Sequence, residues 1–323
     1  MNPIEFHQAF SEFMAVLATN KTLVINTGQE SFSMLDHTKI EWNIIQDFVI
    51  NNGVTATNPD GTGIFRLNKR IATAFNSQQN RFVLKFSGVY SHHKPMITRQ
   101  NDCISVCPNE TGCKTNNCEL GDVCFITLFL DKNKKVLMAK SFMAQAKKTP
   151  DLDSERQRCL YDSDWYFNYQ SKAFYEKTIT KTSLRYLPHW GNGRERALRY
   201  LILNSDTNHQ PKNRFVPWAI DHNNDFGFSL YRMLAGADGM HFFPDTPLAS
   251  DWSMLMDDLI RMAAGHMKSS SIRGIPSELN VLLNYFNNYR NHDLWNAQTD
   301  NENFPNVPLV LAIIQDTGND TDH

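Results

Sequence analysis

Segments of helical period alternate along this chain with segments of strand period, which predicts an α/β fold. Three observations carry that prediction. Residues 121–148 read as a β-hairpin, in which GDVCFITLFLD and VLMAKSFMAQAKK are joined by the polar turn KNKK at 132–135. Residues 3–18 place Phe6, Phe10, Phe13, Met14 and Leu17 at the spacing of an amphipathic helix. Near the other end, VPLVLAIIQDTG (307–318) is an apolar strand suited to a central sheet.

The remaining elements follow in chain order. LVIN near residue 23 reads as a short strand, 40–50 as a helix, and 51–63 (NNGVTATNPDGTG) as an exposed loop or linker. A helix around 64–75 carries Arg66, Lys69 and Arg70, and 81–90 shows strand-type alternation. After the hairpin, the Pro and acidic residues opening 149–170 suit a helix start. Within that stretch Trp165, Tyr166 and Phe167 read as core. Residues 194–204 look helical, 204–214 is a polar loop and a boundary, and further helices are expected near 226–235, 251–267 and 277–288.

Composition narrows the classes. The 323 residues, 37.2 kDa, are enough for one large domain or two ordinary ones. A hydrophobic fraction of 41% excludes global disorder, and a net charge of −2 excludes a wholly basic nucleic-acid coat. No apolar run is long enough to cross a membrane. The opening MNPIEFHQAF carries Glu5 and has neither a basic nor an apolar leader region, so a cytoplasmic chain with reduced cysteines is expected.

Five of the six cysteines lie between Cys103 and Cys124. Cys103, Cys107, Cys113 and Cys118 form a compact, turn-rich C-x3-C-x5-C-x4-C run, broken by Pro108 and Gly112. Four thiolates on such a loop suit a structural, tetrahedral Zn²⁺. The spacing matches no standard finger, and incidental clustering of small thiols is the competing reading. Cys124 and Cys159 read as core residues.

The hairpin carries the chemistry. With its turn near Asn133 or Lys134, opposite residues sum to about 266–268, so Asp122 faces a residue between Ala144 and Ala146. Gln145 and Lys147 are two apart and project from one face of their strand. A carboxylate, an amide and an ammonium therefore converge at one end of the hairpin. The trio suits phosphodiester hydrolysis. Asp122 is a hard oxygen ligand for Mg²⁺ or Mn²⁺, Gln145 can complete the metal or water shell, and Lys147 can orient the attacking water or offset phosphate charge. A second carboxylate is expected, either Glu119 or a glutamate of an earlier helix. Read without that chemistry, QAKK is a strand end with solvated lysines and ELGD a polar strand entry.

CELGDVCFITLF followed by MAQAKK resembles the PD-(D/E)XK, or restriction-endonuclease-like, superfamily, and within it the Mrr-like D…QxK branch. QRCLYDSDWYFNY resembles a segment of such nucleases in bacterial anti-phage defence systems. The resemblance spans about residues 81–170. It maps the family aspartate, glutamine and lysine onto Asp122, Gln145 and Lys147. It implies a mixed central sheet flanked by helices, a divalent metal and DNA cleavage. The earlier helical glutamate common in the family has no counterpart in 64–75. On this reading 1–61 is an N-terminal helical region, 62–205 a nuclease core with the cysteine loop, and 206–323 a C-terminal helical region ending in a strand.

Lys148, Arg194 and Arg196 are the candidate DNA contacts, the two arginines as part of a basic helix face. With no excess of basic residues, DNA binding calls for a homo-oligomer or a regulatory defence-system partner such as an ATPase or sensor. The rival class is a catalytically silent, zinc-stabilised nucleic-acid-binding or scaffold protein. A third reading keeps the fold and cleaves RNA.

Overall fold

The hairpin forms as its pattern demands. Strand β4 (Val123–Leu130) runs antiparallel to β5 (Val136–Lys147), with Val123 opposite Ala144 and Phe129 opposite Met138. That register lies inside the expected window. The turn is fixed by Asp131, whose carboxylate accepts from the amides of Asn133 and Lys135, both at 2.9 Å. Lys134 takes the left-handed conformation, φ 63°, that closes it. This computed structural model describes residues 3–77, 81–90, 95–99, 116–148, 155–162, 164–176, 178–189, 191–203, 219–221, 226–266 and 307–318. The expected loop at 204–214 and helix at 277–288 lie outside them.

Around the hairpin a mixed sheet assembles in the order β1 (Phe82–Val89), β11 (Leu309–Asp316), β4, β5, β8 (Leu198–Ile202), β9 (Ala219–Asp221). A short strand, β10 (Met240–His241), also pairs with β5. The C-terminal strand β11 does join the sheet centre, antiparallel to β1 and parallel to β4. A second sheet has the order β3 (Asn117–Glu119), β2 (Met96–Arg99), β6 (Tyr166–Tyr169), β7 (Leu184–Tyr186).

Both faces of the sheet centre are covered, so β4 and β11 are apolar almost throughout rather than alternating with polar residues. On one face Val123, Phe125, Phe129, Phe142 and Ala144 pack with helices α1 (Pro3–Thr19), α2 (Lys21–Ser33), α3 (Glu41–Ile50) and α9 (Phe226–Leu234). On the other, Cys124, Ile126, Leu128 and Met143 pack with α6 (Glu155–Asp162), α10 (Asp251–His266) and the small sheet. Trp252 of α10 anchors this layer by donating its indole N–H to Ser141 Oγ at 3.0 Å. Helices α1, α2 and α3 thus share one apolar core with the sheet. The 51–62 loop is tied down by Arg66, which donates to Asn58 Oδ1 at 3.0 Å and to the Gly61 carbonyl at 3.1 Å.

The segment 63–77 is one helical run in three pieces, α4 (Gly63–Arg66), a π-helical turn (Leu67–Ala72) and α5 (Thr73–Ser77). It places Asn68 and Asn76 beside β1, an edge strand. Each side-chain amide bonds both backbone groups of one residue: Asn68 with Phe86 and Asn76 with Leu84. These two asparagines take the place of a neighbouring strand and block pairing at that edge.

Two expectations are corrected. LVIN is helical, part of α2, because Val24, Thr27, Gly28 and Ser31 recur at helix spacing and are buried together. Short apolar runs do not separate helix from strand. Residues 194–204 give only one helical turn, α8 (Arg194–Ala197), and then strand β8, which lies parallel to β5. A strand covered on both faces has the same continuous apolar pattern as a buried helix. Of the three aromatics read as core, Phe167 is buried and Trp165 is 55% exposed.

Candidate active site

Asp122 sits at the entry to β4, where its own amide donates to the Ala144 carbonyl at 3.0 Å. One step beyond the Val123–Ala144 pair, its carboxylate meets Gln145. Gln145 Nε2 donates to Asp122 Oδ2, and the Ala146 amide donates to the same oxygen at 2.7 Å. The direction of the amide is set by the carboxylate, since only its NH₂ can donate there. Its carbonyl oxygen, Oε1, is left buried with no hydrogen-bond partner. Asp122 and Gln145 are 3% and 2% exposed.

Lys147, half-buried, projects from the same face of β5 as Gln145 and donates to Gln157 Oε1 of α6 at 2.6 Å. Helix α6 roofs the trio. Its Tyr161 donates its hydroxyl to the Leu120 carbonyl at 3.2 Å. Burial, and next the charge of Asp122, hold the Tyr161 phenol far above its ordinary range. Gly121 permits this close packing, because a Cβ there would lie 2.7 Å from the Met143 side chain and 2.9 Å from the Tyr161 hydroxyl.

The other expected residues are distributed as follows. Glu119 is half-buried in β3, opposite Met96 in the small sheet rather than in the sheet that carries Asp122. Lys148 is tied to the start of α3: its amide donates to Glu41 Oε1 at 3.3 Å and its ammonium to the Thr38 carbonyl at 3.2 Å. Arg196 is exposed, with Glu195 at 3.9 Å. Arg194 is a correction. It is 1% exposed and donates to the carbonyls of Leu160, Tyr161 and Asp164, each at 2.7 Å, closing the end of α6. A guanidinium that satisfies buried helix-end carbonyls is not available to a phosphate. Cys118 is buried in β3, whereas Cys103, Cys107 and Cys113, with His92 and His93, lie outside the described residues.

Sequence reasoning missed Glu41, Gln157 and Tyr161. Gln157 and Tyr161 had a weak signal, since a helix leaving a strand commonly packs back over it. Glu41 had none, because Lys148 is 107 residues away in the chain.

Among the described residues no three His, Cys, Asp or Glu side chains are grouped to hold a metal. The oxygen donors that the described residues place at the trio are the Asp122 carboxylate and the unpartnered Gln145 oxygen. That hard-oxygen pair fits a Mg²⁺ ion that keeps most of its waters, and does not fit a fully protein-ligated cation. Comparison with protein-family models, with curated proteins and with solved structures finds no match to this chain.

Proposed function

We propose that the chain is a metal-dependent DNA endonuclease of the restriction-endonuclease-like class, an effector of prokaryotic antiviral defence. One observation carries the proposal: Asp122 and Gln145 are in contact on the face of the sheet from which Lys147 projects, and the Gln145 carbonyl oxygen is buried without a partner. A buried acceptor left unsatisfied costs about 1–3 kcal/mol, and a bound cation or its water removes that cost.

Asp122 and Gln145 would hold the ion, which when bound supplies an acidified water and charge neutralisation at the phosphate. Gln145 orients Asp122 through its NH₂ and presents its carbonyl oxygen to the ion. Gln157 holds the Lys147 ammonium near the same end of the sheet, where it offsets charge on the scissile phosphate. Incubation with supercoiled plasmid and with RNA, in Mg²⁺ and in Mn²⁺, tests this reading. Nicked or linear plasmid supports it, RNA cleavage alone changes the substrate, and intact nucleic acid throughout defeats it.

A second reading, the silent zinc-stabilised scaffold, is favoured by one feature. Asp122 Oδ2 already accepts two donors beneath α6, the arrangement of a residue that locks a sheet end. Its signature is stoichiometric zinc in the purified protein together with no cleavage in any divalent metal.

A further inference from the structure

On the opposite face of β5 from Lys147, and independently of the nuclease reading, several cations gather, and among the described residues few carboxylates meet them. Lys140 is only 7% exposed, and its ammonium donates to the Gly236 carbonyl in the turn after α9. His241 of β10 lies directly opposite Lys140 in the strand register. The same turn holds Asp238, which accepts from Arg199 of β8 at 2.5 Å, from Ser229 Oγ at 3.1 Å and from the Gly239 amide at 3.0 Å. Arg199 Nε is buried without a hydrogen-bond partner. Arg196 stands at the exposed rim, its side chain 60% accessible.

The charges do not balance. Among the described residues Lys140, Arg196, Arg199 and Arg232 contribute four positive charges, of which Arg196 and Arg232 are exposed, and the facing acids are Asp238 and Glu195. After burial, the Arg196 charge is the main influence lowering Lys140. Burial, then Lys140, keep His241 below its ordinary range, and Arg196 adds to this. The C-terminal end of α9 accounts for one cation. Among the described residues it leaves the Arg199 Nε proton and two Lys140 protons without an acceptor. A buried ammonium and a buried guanidinium N–H with unmet donor capacity are costly, and an anion relieves both the charge and the unmet donors.

We propose that Lys140, Arg196, Arg199 and His241 form an anion site for a phosphoryl group, entered from the Arg196–His241 rim. The phosphoryl group can belong to a free phosphate or to a nucleic-acid backbone, and the test separates the two. Calorimetric titration with inorganic phosphate, against sodium chloride at matched ionic strength, is run on the wild-type chain, Arg196→Gln, His241→Gln and Lys140→Met. A short DNA duplex is titrated into the same four proteins. Saturable phosphate binding that falls about tenfold to a hundredfold in Arg196→Gln and Lys140→Met supports the site. A parallel loss of duplex affinity assigns it to a backbone phosphate, and unchanged duplex affinity assigns it to a small phosphate. Should Lys140→Met not fold, the two rim variants decide the matter. Absence of phosphate binding with duplex affinity equal in all folded proteins overturns the proposal, as does phosphate binding equal in all of them.

Discussion

Gln145 and Asp122 form a side-chain pair across the β4–β5 hairpin in which the amide donates and the carboxylate accepts, leaving the amide oxygen buried and unpartnered. The pair fixes the orientation of the Gln145 amide beneath α6. It also makes two kinds of replacement at Asp122 separable.

Asp122→Ala removes the acceptor of two buried donors, Gln145 Nε2 and the Ala146 amide. An expected loss of about 1–3 kcal/mol per unmet donor should appear in chemical denaturation. Asp122→Asn keeps an oxygen acceptor and the shape, so its stability should stay near that of the wild type while cleavage is lost. Equal activity in Asp122→Asn and wild type would remove Asp122 from the chemistry.

Gln145→Glu places a second carboxylate against Asp122. Two acids in contact cannot both ionise at low cost, so one takes a pKa above its unfolded value. Stability from that group is present at low pH and declines as pH rises through the raised pKa. Denaturation of the variant should therefore show a deficit at pH 8 that shrinks toward pH 5. Mg²⁺ should restore stability at pH 8 more in the variant than in the wild type.

Arg185 and Asp258 make a buried pair, Nε–Oδ2 2.5 Å and Nη2–Oδ1 3.1 Å, that joins the small sheet to α10. Burial pushes Asp258 up to about 6 despite Arg185, and Tyr169 adds a hydrogen bond at 3.2 Å. Arg185→Met strands the carboxylate and should cost about 3–5 kcal/mol at pH 8. Because the raised group is neutral at low pH, the loss should be smaller at pH 5. A loss equal at both pH values would show that packing, not charge, dominates there.

Much of this architecture was legible in the sequence because local rules act on it directly. The polar KNKK turn fixed the register that places Asp122 by Gln145, and the apolar 307–318 run was recognisable as a sheet strand. The rest depended on long-range packing. LVIN is too short a run for its period to separate helix from strand, and in 198–202 burial on both faces erases that difference. Arg194 looked like a surface cation, and only the end of α6, some thirty residues earlier, explains its burial. Glu41 reaches the site end of β5 through the placement of α3 on the sheet, which no local pattern records.

Lys147 offers the most direct measurement. Its ammonium is held by Gln157 at 2.6 Å and is half-buried, so Lys147→Ala leaves the core intact. Plasmid is incubated in Mg²⁺ with wild type, with Lys147→Ala, and with wild type plus EDTA, and the thermal midpoints of both proteins are recorded. The account predicts cleavage by the wild type alone, with the two midpoints close together. Cleavage by Lys147→Ala at the wild-type rate, or cleavage that persists in EDTA, would contradict it.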